Sequence, residues 1–151
     1  MPNENCYYMK TLDYFIEINI RFSETDAMGV VWHGNYLKYF EDGREQFGLK
    51  YGMEYLDIYN QGYFTPIVNS NIDHKSPVFY GQKIRVQVIL EFTRAAKIKF
   101  RYEIFNLETN KLSAVGSTTQ VFLNVDSRKI ELNKPEFYGD WEDKQEWKVN
   151  E

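Results

Sequence analysis

Apolar side chains at every second position restrict the fold of this chain more than any other feature. The alternation runs through residues 16–22 and returns in three later segments, 84–92, 98–104 and 115–125. Successive side chains of a β-strand point to opposite faces, so each segment predicts a strand with one face on a core. The three later segments follow one another closely, which favours an antiparallel meander. Residues 65–78 predict a further strand with a less regular alternation.

A single long helix is predicted between the first strand and the others. Residues 35–51 carry aromatic side chains at near-helical spacing, with charged residues between them. Gly34 and Asn35 form a start signal, and Gly48 or Gly52 forms a stop signal. One strand, this helix and four more strands predict an α+β fold, in which a curved antiparallel sheet of about five strands wraps the helix.

The predicted domain extends over the whole chain, 1–151, with its core in about residues 14–125. Residues 140–151 are acidic and show no apolar period, so we expect a frayed or loosely docked tail. A sheet wrapped around one helix leaves its edge strands open, and pairing with a second copy commonly closes such edges. A homodimer or homotetramer is therefore expected.

Composition argues against several classes of protein. The chain has 18 Lys and Arg against 22 Asp and Glu, a formal net charge of −4 that disfavours a nucleic-acid-binding surface. No apolar run approaches the length that a bilayer requires, so membrane insertion is not expected. Cys6 is the only cysteine, which excludes an intramolecular disulfide or a multi-thiolate metal site. This cysteine usage, with an N-terminal stretch that lacks a secretory signal pattern, predicts a cytoplasmic protein.

The densest polar chemistry lies in residues 21–36, between the first strand and the helix. Asp26 supplies a carboxylate, and the amides from about His33 onward lie at a helix start, where unpaired N–H groups favour developing negative charge. Gly29 permits a sharp turn that would bring the two together. Each residue has a plainer alternative, because a loop Asp is usually a turn or cap residue and a lone His more often makes a local hydrogen bond.

The string T-D-A-M-G-V-V-W-H-G-N-Y at residues 25–36, followed by Glu41 and Arg44, resembles a known signature. It is similar to that of hotdog-fold acyl-CoA thioesterases of the 4-hydroxybenzoyl-CoA thioesterase family, roughly D-T-D-A-x-G-V-V-(Y/W)-(H/Y)-x-N-Y, then E-x-x-R. The order of the predicted elements resembles the family over about residues 14–125. By their spacing alone, Glu41 and Arg44 are expected to pair with each other on one side of the helix.

The resemblance implies roles for individual residues. Asp26 matches the family's catalytic carboxylate, which acts as nucleophile on the thioester carbonyl or as general base for water. His33 falls where the family polarises that carbonyl with a backbone amide, and Gly29 and Asn35 fall on the turn and helix-entry positions. The family's sites lie between subunits, and three residues are expected to line the acyl pocket from the partner chain: Thr65, Pro66 and Val68.

Two residues depart from the family's pattern, and a basic stretch adds a binding prediction. Glu24 replaces the first Asp of D-T-D with a longer acid, and His74 stands where a Tyr is common. Coenzyme A needs cations for its phosphates, and residues 83–101 carry six basic residues against one Glu. Arg94 and Lys97, at the predicted hairpin turn, are the candidate contacts, and a solvated strand face is the alternative.

These observations predict a homo-oligomeric thioesterase that hydrolyses acyl-CoA to the free acid and coenzyme A, without a metal or redox cofactor. An acyl carrier protein is an alternative thiol carrier, because the basic stretch also suits its acidic surface. A hydratase or dehydratase for acyl thioesters, with His33 and a carboxylate as acid and base, is disfavoured because the predicted helix contains no His. The third possibility is a module that binds an acyl ligand without turnover.

Overall fold

The computed structural model of the protein describes residues 9–150, so Cys6 lies outside the described residues. The strands are β1 (Met9–Asn19), β2 (Tyr63–Phe64), β3 (Ile67–His74), β4 (Lys83–Glu91), β5 (Lys97–Asn106), β6 (Lys111–Val121), β7 (Leu123–Asn124) and β8 (Lys148–Asn150). The helices are α1 (Asn35–Tyr51), α2 (Tyr55–Asn60) and α3 (Glu136–Asp143). Within residues 9–150 no helix is long and apolar enough to cross a membrane.

The main sheet is antiparallel throughout, with six strands in the order β3-β6-β5-β4-β1-β8. The predicted meander is confirmed, since β4, β5 and β6 are neighbours in that order. Strands β2 and β7 form a separate small pair. The α+β class and the antiparallel sheet around one long helix are therefore confirmed, and the strand beyond the predicted five is β8.

Helix α1 occupies the predicted residues, 35–51. Gly52 ends it with a φ of 73°, a left-handed conformation that glycine adopts without steric cost, whereas Gly48 lies inside the helix. Three of the four aromatic residues whose spacing predicts the apolar face, Tyr36, Phe40 and Phe47, are buried, and the fourth, Tyr51, is half-buried. Tyr39 is buried as well.

Close contact between α1 and the sheet forms the centre of the core. The ring of Phe40 stacks on that of Tyr102 in β5, with centroids 4.2 Å apart. A Cβ atom added to Gly43 would stand 2.5 Å from Cγ2 of Val88 in β4, which is closer than two carbons can approach. Glycine at position 43 therefore lets the helix lie directly against β4.

The first strand differs from its prediction at both ends. It begins at Met9 and ends at Asn19, and Ile20 makes one more backbone hydrogen bond, from its N–H to the Gln82 carbonyl at 3.0 Å. Phe22, predicted as the last apolar strand residue, instead lies in a short 3-10 turn and is 76% exposed. The chain turns away from the sheet after Ile20 to form the polar loop. The alternation of apolar residues in the sequence therefore extends beyond the residues that form the strand.

The C-terminal segment contradicts the prediction of a loose tail. Tyr138 and Trp141 of α3 are buried, and Trp141 Nε1 donates a 2.7 Å hydrogen bond to the Tyr51 carbonyl at the end of α1. Strand β8 pairs with β1 at the edge of the main sheet. The acidic composition of the segment masked its apolar pattern. Tyr138 and Trp141 lie three positions apart and give α3 a buried face. The core consequently extends beyond the predicted 14–125.

Candidate active site

The loop between β1 and α1 folds back on itself through a tight turn. The N–H of Asp26 donates to the Val30 carbonyl at 2.8 Å, and the N–H of Gly29 donates to the Asp26 carbonyl at 3.0 Å. Gly29 has a φ of 77°, in the region that favours glycine. The sharp turn predicted at this glycine is therefore present.

The Asp26 carboxylate is oriented by the turn that it helps to close. Its Oδ1 accepts hydrogen bonds from the N–H of Met28 at 2.8 Å and the N–H of Val30 at 3.3 Å. No donor among residues 9–150 lies within hydrogen-bonding distance of Oδ2. Asp26 is thus a turn residue, as the plainer alternative holds, and it also keeps one oxygen available for chemistry.

The start of α1 is tied to the chain just before Asp26. The backbone carbonyl of Glu24 accepts the N–H of Trp32 at 2.9 Å and the side-chain amide of Asn35 at 2.7 Å. Asn35 is buried and is the first residue of the helix. Its side chain therefore holds the helix entry against the loop, which is a positioning contact.

Two backbone amides at the helix entry have no acceptor among the described residues. These are the N–H groups of His33 and Gly34. Unpaired N–H groups at a helix N-terminus, together with the helix dipole, stabilise a negative charge that lies close to them. The imidazole of His33 is exposed and lies beside the Trp32 ring, with centroids 4.9 Å apart. The geometry favours the amide of His33 over its imidazole as the functional group.

Glu24, the departure from the family's pattern, serves the local structure of the loop. Its Oε1 accepts a 2.7 Å hydrogen bond from the N–H of Arg21, which caps the 3-10 turn. The hydroxyl of Tyr39 is buried beneath the loop, and burial raises its pKa, with a further increase from the Glu24 carboxylate.

The predicted acyl-pocket residues lie away from Asp26 in the same chain. His74, which lies in β3 as predicted, packs edge-on against Tyr36 in the first turn of α1, with ring centroids 4.9 Å apart. The eight residues of β3 span about 26 Å, and the remaining candidates lie at or beyond its opposite end. Those candidates are Thr65, Pro66 and Val68.

Arg94 and Lys97 lie at that same far end of the sheet. Strand β4 starts at Lys83, paired with Asn19 next to the active-site loop, and ends at Glu91 before the β4–β5 hairpin. Nine residues of strand span about 30 Å, so the hairpin is remote from Asp26 of its own chain. Both cations are exposed, and neither has an ion pair within the described part of the chain.

A pocket of about 450 Å³ lies at the C-terminal half of α1, between this helix, α2, β5 and α3. Glu41 and Arg44 lie on its wall as the expected i,i+3 pair, with Nη2 and Oε1 3.9 Å apart. Sequence reasoning missed the pocket because part of its wall belongs to α3. Its apolar lining includes Phe47, Met53, Ile58, Phe100, Tyr138 and Trp141.

An antiparallel sheet around one long helix, with an oriented carboxylate and unpaired amides at the helix entry, defines a thioester hydrolase of the hotdog fold. The chain belongs to the thioesterase-like superfamily, whose family model matches residues 20–140. The hotdog fold and the thioesterase class predicted from residues 25–44 are thereby confirmed.

Two relatives support this class, and a third supports the fold. The chain is 33% identical over 126 residues to "Putative acyl-CoA thioesterase YneP" of Bacillus subtilis, covering 83% of this chain and 89% of the relative. A crystal structure of DHNA-CoA thioesterase from Staphylococcus aureus is 33% identical with a TM-score of 0.76, covering 87% of each chain. The 4-hydroxybenzoyl-CoA thioesterase of Pseudomonas sp. strain CBS-3, at 18% identity and a TM-score of 0.73, covers 85% of this chain and 98% of its own. The first two relatives favour hydrolysis over the hydratase and binding-module alternatives.

Proposed function

We propose that this protein hydrolyses acyl-CoA thioesters to the free acid and coenzyme A in the cytoplasm, without a metal or redox cofactor. The observation that carries the proposal is that one loop holds both the oriented Asp26 carboxylate and the unpaired amides of His33 and Gly34. A thioester is reactive enough for one carboxylate and correctly placed donors to suffice. The coenzyme A thioesters in the names of the relatives support this carrier.

In the proposed reaction the thioester carbonyl oxygen accepts a hydrogen bond from the His33 N–H, and the helix dipole stabilises the oxyanion that forms. Asp26 Oδ2 attacks the carbonyl carbon, or takes a proton from the water that attacks it. The tetrahedral intermediate collapses as the C–S bond breaks, and coenzyme A leaves as a thiolate that takes up a proton. On the direct route, water hydrolyses the resulting mixed anhydride and restores the Asp26 carboxylate.

Thiol release tests this proposal. Wild type is compared with Asp26→Asn on short, medium, long and aromatic acyl-CoAs, and we expect turnover to collapse while binding is largely kept. Asp57→Asn is the matched control, because Asp57 also accepts a backbone N–H, that of Glu54 at 2.8 Å, but at the start of α2. No release from any acyl-CoA that still binds would reject the proposal in favour of a carrier-protein substrate or a non-hydrolytic role.

Single turnover in ¹⁸O-labelled water distinguishes the two routes for Asp26. Incorporation of ¹⁸O into the Asp26 carboxylate is expected for the direct route, because water then cleaves the anhydride that Asp26 forms. Only attack of water on the Asp26 carbonyl of the anhydride labels Asp26, so label in Asp26 identifies the direct route. General-base catalysis places the label in the acid product alone, and attack of water on the acyl carbon of the anhydride gives the same result.

The site in this proposal lies between two subunits. Strand β3 is an edge strand of the main sheet, and seven of its eight residues are exposed. Antiparallel pairing of β3 with its copy about a two-fold axis would set the start of one strand beside the end of the other. Since His74 at that end contacts the first turn of α1, the partner's Thr65, Pro66 and Val68 would reach the helix entry.

The same two-fold pairing of β3 would also bring basic side chains of the partner to the coenzyme A phosphates. Lys97 pairs with Val121, and the N–H of Val121 donates to the Pro66 carbonyl at 3.2 Å. The β4–β5 hairpin and the start of β3 therefore lie at one end of the sheet. A dimer that brings the partner's Thr65 to the Asp26 loop also brings the partner's Arg94 and Lys97 to that side, where the phosphates of coenzyme A would bind.

Subunit complementation tests the shared site. Asp26→Asn removes the carboxylate that one subunit contributes to the site. Val68→Asp places a charge on the exposed β3 that the other subunit contributes. Each variant alone is expected to be inactive. In a mixed dimer one site carries both changes and the other carries neither, so random reassociation should restore about a quarter of wild-type activity. No recovery, with mixed dimers verified by sedimentation and mass spectrometry, would place each site within one chain.

A further inference from the structure

The pocket at the C-terminal half of α1 has the character of a site for a hydrocarbon group. Its volume of about 450 Å³ falls in the usual range for small ligands, roughly 300 to 1,000 Å³. The acidic residues on its wall, Glu41, Glu45 and Glu54, are all exposed. Arg44 is the one cation on the described wall. Its Nη2 lies 3.9 Å from Glu41 Oε1, and its Nη1 is buried without a hydrogen-bond partner. Beyond Arg44 the deeper wall is mainly apolar, which matches an alkyl or aryl chain.

Helix α3 closes one side of this pocket and is firmly attached there. Tyr138 is 3% exposed and packs against Phe122 and Trp141, with ring centroids 5.1 and 5.2 Å away. Trp141 is fixed by its hydrogen bond to the Tyr51 carbonyl. Because the same two aromatic rings line the pocket, α3 supplies it with a fixed wall.

We propose that this pocket takes the hydrocarbon end of the acyl group, and that Tyr138 and Trp141 set the greatest acyl length that it accepts. The inference rests on the proposed acyl-CoA thioesterase function and assigns a specificity role to the C-terminal helix. A rigid aromatic wall excludes a chain that is too long, because well-packed side chains yield little space at low energy.

The pocket connects to the chemistry through the proposed dimer. Thr65 belongs to the pocket wall and lies two residues before the start of β3. Antiparallel β3 pairing would place that start beside the helix entry of the partner, where the partner's Asp26 loop lies. An acyl group attacked at one subunit's loop would thus extend into the other subunit's pocket.

The first test compares acyl-length profiles. We measure kcat/KM for saturated acyl-CoAs of increasing length with wild type, Tyr138→Ala and Trp141→Ala. Wild type should show a sharp upper limit, and both variants should extend it, raising kcat/KM beyond the limit about tenfold while short substrates change little. Trp141→Phe, which keeps a ring but loses the indole N–H, should retain the wild-type limit.

Phe137→Ala is the matched control on the same helix. Phe137 packs against Tyr63, Phe122 and the outer side of α3 at Tyr138 but does not itself line the pocket. Its removal costs a comparable aromatic contact and should leave the length limit where it is. A limit that stays unchanged in folded Tyr138→Ala and Trp141→Ala, or that moves equally in Phe137→Ala, would overturn the proposal.

The second test detects occupancy directly in the wild-type chain and does not depend on turnover or on the two alanine variants of α3. Labelling with 5-fluorotryptophan gives a ¹⁹F resonance for each of the three tryptophans, and the Trp141 signal is identified by its absence in Trp141→Phe. Non-hydrolysable S-alkyl-CoA thioethers of increasing length are then added. The Trp141 signal should shift only above a threshold length, and that of Trp147, which is not in the wall, should stay fixed.

The two proposals fail in different ways. Hydrolysis without a ¹⁹F shift at Trp141 for any bound thioether would reject the pocket assignment and leave the thioesterase function standing. A length-dependent shift without hydrolysis of any acyl-CoA would reject the function and leave the pocket as a binding site for the alkyl chain.

Discussion

The side-chain amide of Asn35 donates a 2.7 Å hydrogen bond to the backbone carbonyl of Glu24. That carbonyl also accepts the Trp32 N–H at 2.9 Å, so two donors from the helix entry converge on one oxygen. Asn35 is only 6% exposed, which shields the bond from competing water. The contact fixes the first residue of α1 against the chain that precedes Asp26, and with it the separation between the Asp26 carboxylate and the His33 N–H.

We expect Asn35→Ala to lower kcat for acyl-CoA by about tenfold or more, because small misplacement of reacting groups is costly. Loss of the buried bond should also lower the free energy of unfolding by about 1–3 kcal/mol. Thiol release and denaturant unfolding measure the two effects. Asn133→Ala, at an exposed asparagine, is the control and should change neither. Wild-type kcat in Asn35→Ala would show that this bond does not position the site.

Close approach of α1 to the sheet gives a second prediction. Gly43→Ala adds a Cβ that would meet Val88 Cγ2 at 2.5 Å and Val86 Cγ1 at 3.2 Å. Overpacking should exceed the gain in helix propensity, so we expect a net loss of about 1–2 kcal/mol in the free energy of unfolding. Gly139→Ala in α3, where a Cβ meets nothing within 4 Å, should instead be neutral or stabilising.

A second substitution tests whether the contact with Val88 causes the loss of stability in Gly43→Ala. Val88→Ala removes the methyl group that the new Cβ would strike, so Gly43→Ala and Val88→Ala together should cost less than the sum of the two single changes. Urea unfolding of the four chains measures that coupling. Additive losses would mean that the cost of Gly43→Ala arises elsewhere.

Helix α1 and the long strands were predictable because the spacing of their apolar side chains is visible in residues that are close together in the sequence. Helix α1 lies where aromatic spacing placed it, and β4 buries the alternating Ile84, Val86 and Val88. Helix α3 was not predictable in the same way. Its burial depends on contacts such as that of Trp141 with Tyr51, 90 positions earlier in the chain, and its acidic composition favoured an exposed tail.

The candidate site was predictable to the extent that it is contiguous. Asp26, Gly29 and His33 lie within eight residues, and the structure places them in one loop as the motif indicated. Thr65 and Arg94 come from other elements, and the structure places them remote from Asp26 in their own chain. Their predicted roles depend on how two chains pair, which a single sequence specifies only through its open edge strand.

Binding of coenzyme A gives a third prediction. Arg94→Gln with Lys97→Gln should raise KM for acyl-CoA, with little change in kcat, and the increase should shrink as salt is added. The same acyl group carried on pantetheine, which lacks the nucleotide phosphates, should be hydrolysed equally well by wild type and variant. Lys99→Gln, two residues further along β5, is the control for removal of a nearby charge. An equal effect on the pantetheine ester would argue against phosphate contacts.

The attachment of α3 predicts a pH-dependent stability. Lys134 Nζ lies 2.7 Å from Glu142 Oε1, and both side chains are largely buried. Burial raises the pKa of Glu142, and Lys134 opposes that shift. A carboxyl group whose pKa is raised by folding binds its proton more tightly in the folded chain. The free energy of unfolding therefore falls as pH rises from the ordinary Glu pKa of about 4.3 through the folded value.

Lys134→Met removes the charge that opposes this shift and leaves Glu142 buried without a counter-ion. We expect a loss of about 3–5 kcal/mol in the free energy of unfolding at pH 7, and a much smaller loss at pH 4, where folded Glu142 takes up a proton. Combining it with Glu142→Gln should remove most of the difference between the two pH values, because no buried carboxylate then remains. Urea unfolding from pH 4 to pH 8 measures both chains. Equal losses at pH 4 and pH 7 in Lys134→Met would show that the cost comes from lost packing or from the lost Lys134 hydrogen bond to the Thr93 carbonyl.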